Sequence, residues 1–163
     1  MATLYPVAGC KIYIGPAMDL PNGDVDAADF TSVVWQEIGK WTQMGTFGDA
    51  AALITTQVIS EARDIKQKGT RNAGQMQNVF AVDAADLGQI ALIAAEKTNL
   101  NYPIKVELND KPAVGAAPKN SQRLFLTLVT SAQEAGGAAN TVQSLNSTFE
   151  INSNIVPVAA SAT

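Results

Sequence analysis

The sequence predicts a mainly β domain flanked by a single α-helix. Two long stretches alternate in character. Gln122–Thr130 sets Leu124, Leu126 and Leu128 on one face, and Thr141–Ile151 sets Leu145, Phe149 and Ile151 opposite Ser144, Asn146, Thr148 and Glu150. Helical spacing is confined to Asp83–Ala95, where Leu87, Ile90, Ala91 and Ala94 fall along one side. A chain of 163 residues, 47% of them hydrophobic, suffices for one domain with its own core, so residues 1–163 are read as a single unit.

In chain order, Cys10–Ile14 reads as a short strand, with Cys10 a small buried apolar residue. Gly15–Phe30 reads as a loop, marked by Pro16, Pro21 and the turn pair Asn22-Gly23. Ser32–Phe47 is strand-like through Val33, Val34, Trp35, Trp41 and Phe47, and is interrupted at Gly39 and Gly45. Gly48–Gln67 has apolar residues scattered among Thr, Gln, Ser and charges, which suits a long hairpin extension that needs a partner to cover it. Lys68–Gly74 has the Gly and Asn spacing of a chain reversal. A strand then runs over Gln75–Val82, with Met76, Phe80 and Val82 on one face, Gln75 and Gln77 on the other, and Asn78 and Val79 breaking the alternation.

Asp83 follows as the helix N-cap, with Asp86 placing negative charge in the first turn. Tyr102–Leu108 is a further strand, Asn109–Asn120 a Pro, Ala and Gly loop, and Gln133–Asn140 the hairpin loop between the last two strands. Pro157–Thr163 is a tail of small residues, expected to be frayed or docked on a neighbour.

Chemistry-bearing residues are scarce. The chain has no histidine and one cysteine, which removes the usual metal clusters and the Ser-His and Cys-His nucleophiles. Glu61 with Asp64 lies among basic residues, and Asp83 with Asp86 is accounted for by capping, so no enzyme is expected. Asp19, Asp24, Asp26 and Asp29 invite a calcium reading, but the spacing lacks the alternating ligands and closing Glu of an EF-hand loop. No glycine spacing matches a phosphate loop, and no metal or other cofactor is expected. Trp35 and Trp41 read as core or interface aromatics.

Fifteen acidic residues against eleven basic give a net charge of −4. The one basic group, Arg63, Lys66, Lys68 and Arg71, is too small to hold DNA, although DNA can still slide past such a chain. The sequence shows neither an apolar run of spanning length nor a secretory leader pattern, so a cytosolic origin without membrane partners is expected.

The segment Lys68-Gly69-Thr70-Arg71-Asn72-Ala73-Gly74, a strand, and then Asp86, Gly88, Gln89, Ala91 and Leu92 in an Asp-x-Gly-Gln-x-Ala-Leu pattern resembles the major tail tube proteins of long-tailed, non-contractile phages. Tyr102–Asp110, the strand ending Leu128-Val129-Thr130-Ser131, and Thr148–Ser153 are similar to later stretches of that family. Together the resemblance spans Ile38 to Val156.

The resemblance implies a β-sandwich or half-barrel with one flanking helix, a fold shared with the type VI secretion tube protein. Strands join across subunits into a barrel, homo-hexameric rings stack into a tube, and double-stranded DNA passes through without specific binding. Tail tip, tape measure and tail terminator proteins are the implied partners. The protein then belongs to the virion tail, assembled in the host cytoplasm. Residues 49–67 become a loop between rings, with Leu53, Ile54, Val58, Ile59 and Arg63 as contacts, and residues 157–163 a C-terminal arm. Gln75, Gln77, Ser144, Asn146, Thr148 and Glu150 become the lining of the bore. Two other readings compete: the tube of a secretion or contractile injection system, and a monomeric ligand-binding β-sandwich.

Overall fold

The computed structural model describes residues 3–163. In chain order the strands are β1 (Lys11–Ile14), β2 (Gln36–Glu37), β3 (Trp41–Gln43), β4 (Ala50–Thr56), β5 (Ile65–Asn72) and β6 (Gln75–Ala81). Helix α1 (Leu87–Glu96) follows, then β7 (Tyr102–Glu107), β8 (Gln122–Ala135), β9 (Ser144–Ile151) and β10 (Val156–Val158). One antiparallel sheet runs β2-β1-β7-β8-β9-β6-β3, with β10 also on β8, while β4 and β5 pair only with each other.

Ile12 of β1 and Phe80 of β6 come from opposite ends of this sheet yet share one buried cluster, because the sheet curls into a half-barrel. Met76, Ile104, Val106, Phe125, Val129, Leu145, Phe149 and Ile151 fill its interior, and Leu92 and Ala95 of α1 close it. The other side of the sheet carries a smaller cluster. There Leu124 and Leu126 are covered by Val25, Phe30, Val33, Trp35, Val156 and Val158.

Strand β8 is therefore buried on both faces along its first half, which explains its continuous apolar run. A register shift between Val129 and Ser131 then changes its phase, and the strand continues to Ala135 rather than stopping at Thr130. The hairpin loop accordingly begins after Ala135, not at Gln133.

Helix α1 differs from expectation in its start and in its buried side. Asp86 is the N-cap, accepting from Gln89 N at 2.9 Å, whereas Asp83 closes the preceding turn by accepting from Ala85 N. Gly88, Gln89, Leu92 and Ala95 face inward, with Ala91 partly buried, and Leu87 and Ile90 are 64% and 50% exposed. The reason is Gly88. A Cβ there would lie 2.0 Å from the Glu37 carbonyl oxygen, so the helix backbone sits directly on the β2 end, and Leu87 and Ile90 are turned away.

Gln89 completes the junction from a position only 3% exposed. Its Nε2 donates to the carbonyls of Ala81 and Gly39, and its Oε1 accepts from Asp83 N. Asp86 adds a bond from Gly39 N at 3.0 Å.

Three other segments depart from the sequence reading. Lys68–Asn72 belongs to β5, so the reversal is limited to Ala73-Gly74, where Gly74 has φ 78°. Ser32–Phe47 yields only the short strands β2 and β3, and Asn78, an apparent break in β6, points inward to accept from Trp41 Nε1 and Gly45 N. The C-terminal tail, expected to be frayed or held by a neighbour, is stitched to its own subunit: β10 pairs with β8, and Ser161 bridges to Lys119. Cys10 is half-buried.

Gly88→Ala gains about 1 kcal/mol of helix propensity but drives a Cβ into backbone atoms that cannot rotate away. Overpacking of about 1–3 kcal/mol wins, so urea unfolding shows net destabilisation; Gln89→Leu, which orphans three backbone groups, exceeds 2 kcal/mol on an estimate of about 1–3 each. Burial first, then Glu107 and Glu37, push the Tyr13 phenol up to about 12. The unfolded chain ionises first, so its contribution to stability is lost as pH rises from about 10 toward 12. Absorbance at 295 nm is expected to show a late-titrating phenol that is absent in Tyr13→Phe.

Candidate assembly surfaces

Two surfaces stand outside the core. The first is the open side of β8, β9 and β6. Register pairs Gln75 with Glu150, Gln77 with Thr148, Val79 with Asn146, and Ala81 with Ser144; on the other edge of β9, Thr148 pairs with Ser131 and Asn146 with Gln133. Cross-strand partners share a face, so all six polar residues singled out in the sequence lie on one side of two adjacent strands. Leu145, Phe149 and Ile151 take the opposite, buried side.

A side-chain chain links the surface: Gln77 Nε2 donates to Gln75 Oε1 at 3.2 Å, and Gln75 Nε2 donates to Glu150 Oε1. These rows hold amides, hydroxyls and one carboxylate, interspersed with Val79, Ala81, Leu128 and Ala135, and none of their paired positions is Lys or Arg. Ser131 and Gln133 extend the surface and were missed, because the register shift in β8 hides their alternation from a sequence reading.

The second surface is the β4–β5 hairpin, which covers residues 50–72 and so outruns the 49–67 loop expected. Leu53 pairs with Lys68 and Ile54 with Gln67, so the two apolar residues point to opposite faces. Leu53, Ile54 and Ile65 are 65%, 48% and 42% exposed, and Ile59 at the tip is fully exposed. Val58, Ile59 and Arg63 lie in the tip loop, with Val58 half-buried. Lys66, Lys68 and Arg71 share the Leu53 face through their pairing with Thr55, Leu53 and Ala51.

At the root of the hairpin is a cavity of about 540 Å³, bordered by Leu20, Ile151, Asp24, Asp49 and Arg71. Lys11–Glu37, at 3.4 Å, is the single ion pair within 4 Å among the described residues, so none of these three charges has such a partner. In the acidic loop, Asp26 and Asp29 cap a 3₁₀ turn: Asp26 accepts from Ala28 N and Asp29 N, and Asp29 accepts from Asp26 N. Among the described residues, no helix is long and apolar enough to cross a membrane.

No protein-family model matches the chain, and no curated protein matches it. Solved structures do. A chain of the anti-feeding prophage baseplate is similar with a TM-score of 0.69 at 10% identity, covering 98% of each chain. One from the sheath–tube complex of the extracellular contractile injection system PVC gives 0.63 at 10% identity, over 96% of this chain and 92% of that one. The SPP1 tail tube gives 0.61 at 11% identity, over 94% and 80%. The fold is thus the tail-tube fold.

Neither β4 nor β5 packs extensively on any element but the other. Replacing residues 50–72 with a short Gly-Ser link should therefore leave the calorimetric melting of the body within a few degrees of the parent. A drop of more than about 10 °C would show that the hairpin supports the core.

Proposed function

We propose that this chain is the repeating subunit of a phage tail tube, in which six copies close head to tail into a ring, rings stack, and double-stranded DNA leaves through the bore. The observation that carries this reading is the bare polar side of β6, β9 and β8 on a tail-tube fold. A polyanion is held by lysine and arginine contacts, each of which adds affinity. A lining of Gln75, Gln77, Ser144, Asn146, Thr148 and Glu150 offers none, so DNA stays mobile against it.

The outer edges of β2 and β3 support ring closure. Both end the sheet and offer backbone groups to a neighbour, and a heterologous pairing repeated around an axis consumes every edge. The hairpin supports stacking, since its exposed apolar and basic residues find cover on the next ring. Tail tip, tape measure and terminator proteins are the partners such a tube requires in the virion. Catalysis has no part in the mechanism, which is mechanical and electrostatic.

The likeness to the PVC and anti-feeding prophage chains favours a second reading, the tube of a contractile injection system, with a sheath on its outer surface.

Negative-stain electron microscopy across a concentration series, with light scattering for mass, is expected to show rings or hollow tubes with six subunits per ring. A monomer persisting to high concentration would overturn the reading. Substituting Glu150→Lys together with Gln77→Lys should slow genome delivery while tubes still form; unchanged delivery would remove these residues from the bore.

A further inference from the structure

We infer that the hairpin tip of one copy seats in the root cavity of the next, through two ion pairs of opposite sense: Arg63 with Asp24 or Asp49, and Asp64 with Arg71. This rests on the tube reading and specifies the stacking contact within it.

The tip presents an adjacent cation and anion, Arg63 and Asp64, both exposed and neither in an ion pair within 4 Å. The cavity presents the inverse pattern, two carboxylates and a guanidinium, also exposed and unpaired. Apolar character matches as well. Ile59 is fully exposed at the tip, and Leu20 gives the cavity wall an exposed apolar patch, with Ala73 and Ile151 largely buried behind it.

A tip cannot fill its own root. Strand β4, seven residues with six of them paired, holds the two ends roughly 20 Å apart at about 3.3 Å per residue, and the ladder keeps the ribbon extended. The occupant must come from another molecule, and a second copy supplies the complementary charges. Each exposed ion pair is weak and screened by salt, but the contact repeats around every ring, so small contributions add through avidity.

The test is charge exchange in the full-length protein. A tip variant carries Arg63→Glu and Asp64→Arg; a root variant carries Asp24→Arg, Asp49→Arg and Arg71→Glu; a third chain carries all five. Circular dichroism and melting first establish that each is folded. Tip and root variants are each expected to raise the concentration at which tubes form at least tenfold, and the five-position chain to bring it back within about threefold of the parent. Tubes that form at the parental concentration despite the tip exchange, or a five-position chain that fails to recover, would overturn the docking and leave the tube intact. Absence of any self-association in the parent chain would overturn both.

Discussion

One buried amide sets the relation between the helix and the sheet. Gln89 joins the carbonyls of Gly39 and Ala81 and the amide of Asp83, while Asp86 caps the helix and holds Gly39 N. The link between β2 and β3, the end of β6 and the first turn of α1 therefore meet at one point. Gly88 permits the approach, since any side chain there would strike Glu37 and Ile38. Hydrogen bonds of this kind are modest individually, but the amide that makes three of them is itself only 3% exposed. The junction anchors the link between β2 and β3, the two ends of the strand order, and the end of β6 to one helix, and so ties the curled sheet together at that point.

From that arrangement comes the division of the outer sheet side into two territories. The first half of β8 is roofed by the loop carrying Val25 and Phe30 and by Trp35, Val156 and Val158. Beyond the register shift at Val129 the roof ends, and the strand joins β9 and β6 in a polar surface. A single strand thus serves a core on both faces and then a solvated wall, and the bulge is where it changes from one to the other.

How much of this was legible in the residues depends on how many sides were buried. Strand β9 has one buried face, so its period of two shows both faces correctly. β8 conceals its second half because burial on both sides, followed by a phase change, erases the alternation. α1 is apolar nearly all round, and the choice of side falls to Gly88, whose contact is with residues fifty positions earlier. Asn78 looks like an interruption in β6 until Trp41 Nε1 and Gly45 N supply its partners. The root cavity had no local signal, since it gathers residues near 20, 50, 70 and 152. The hairpin was foreseen as an extension, but its full length was hidden because Gly69, within a ladder, imitates a turn.

Because the hairpin leaves the body through Gly48 and Gly74, both at positive φ, and touches little beyond its own two strands, its sequence is free to drift independently of the core. Lengthening the flexible loop at its tip carries only a slowly growing entropic cost, about 0.6 kcal/mol per doubling of loop length. Under the proposed stacking role, changes in the hairpin alter which rings meet without disturbing how each subunit folds. On that reading, near-identical bodies in one cell would still share rings through their β2 and β3 edges, and the hairpins would decide only which rings stack.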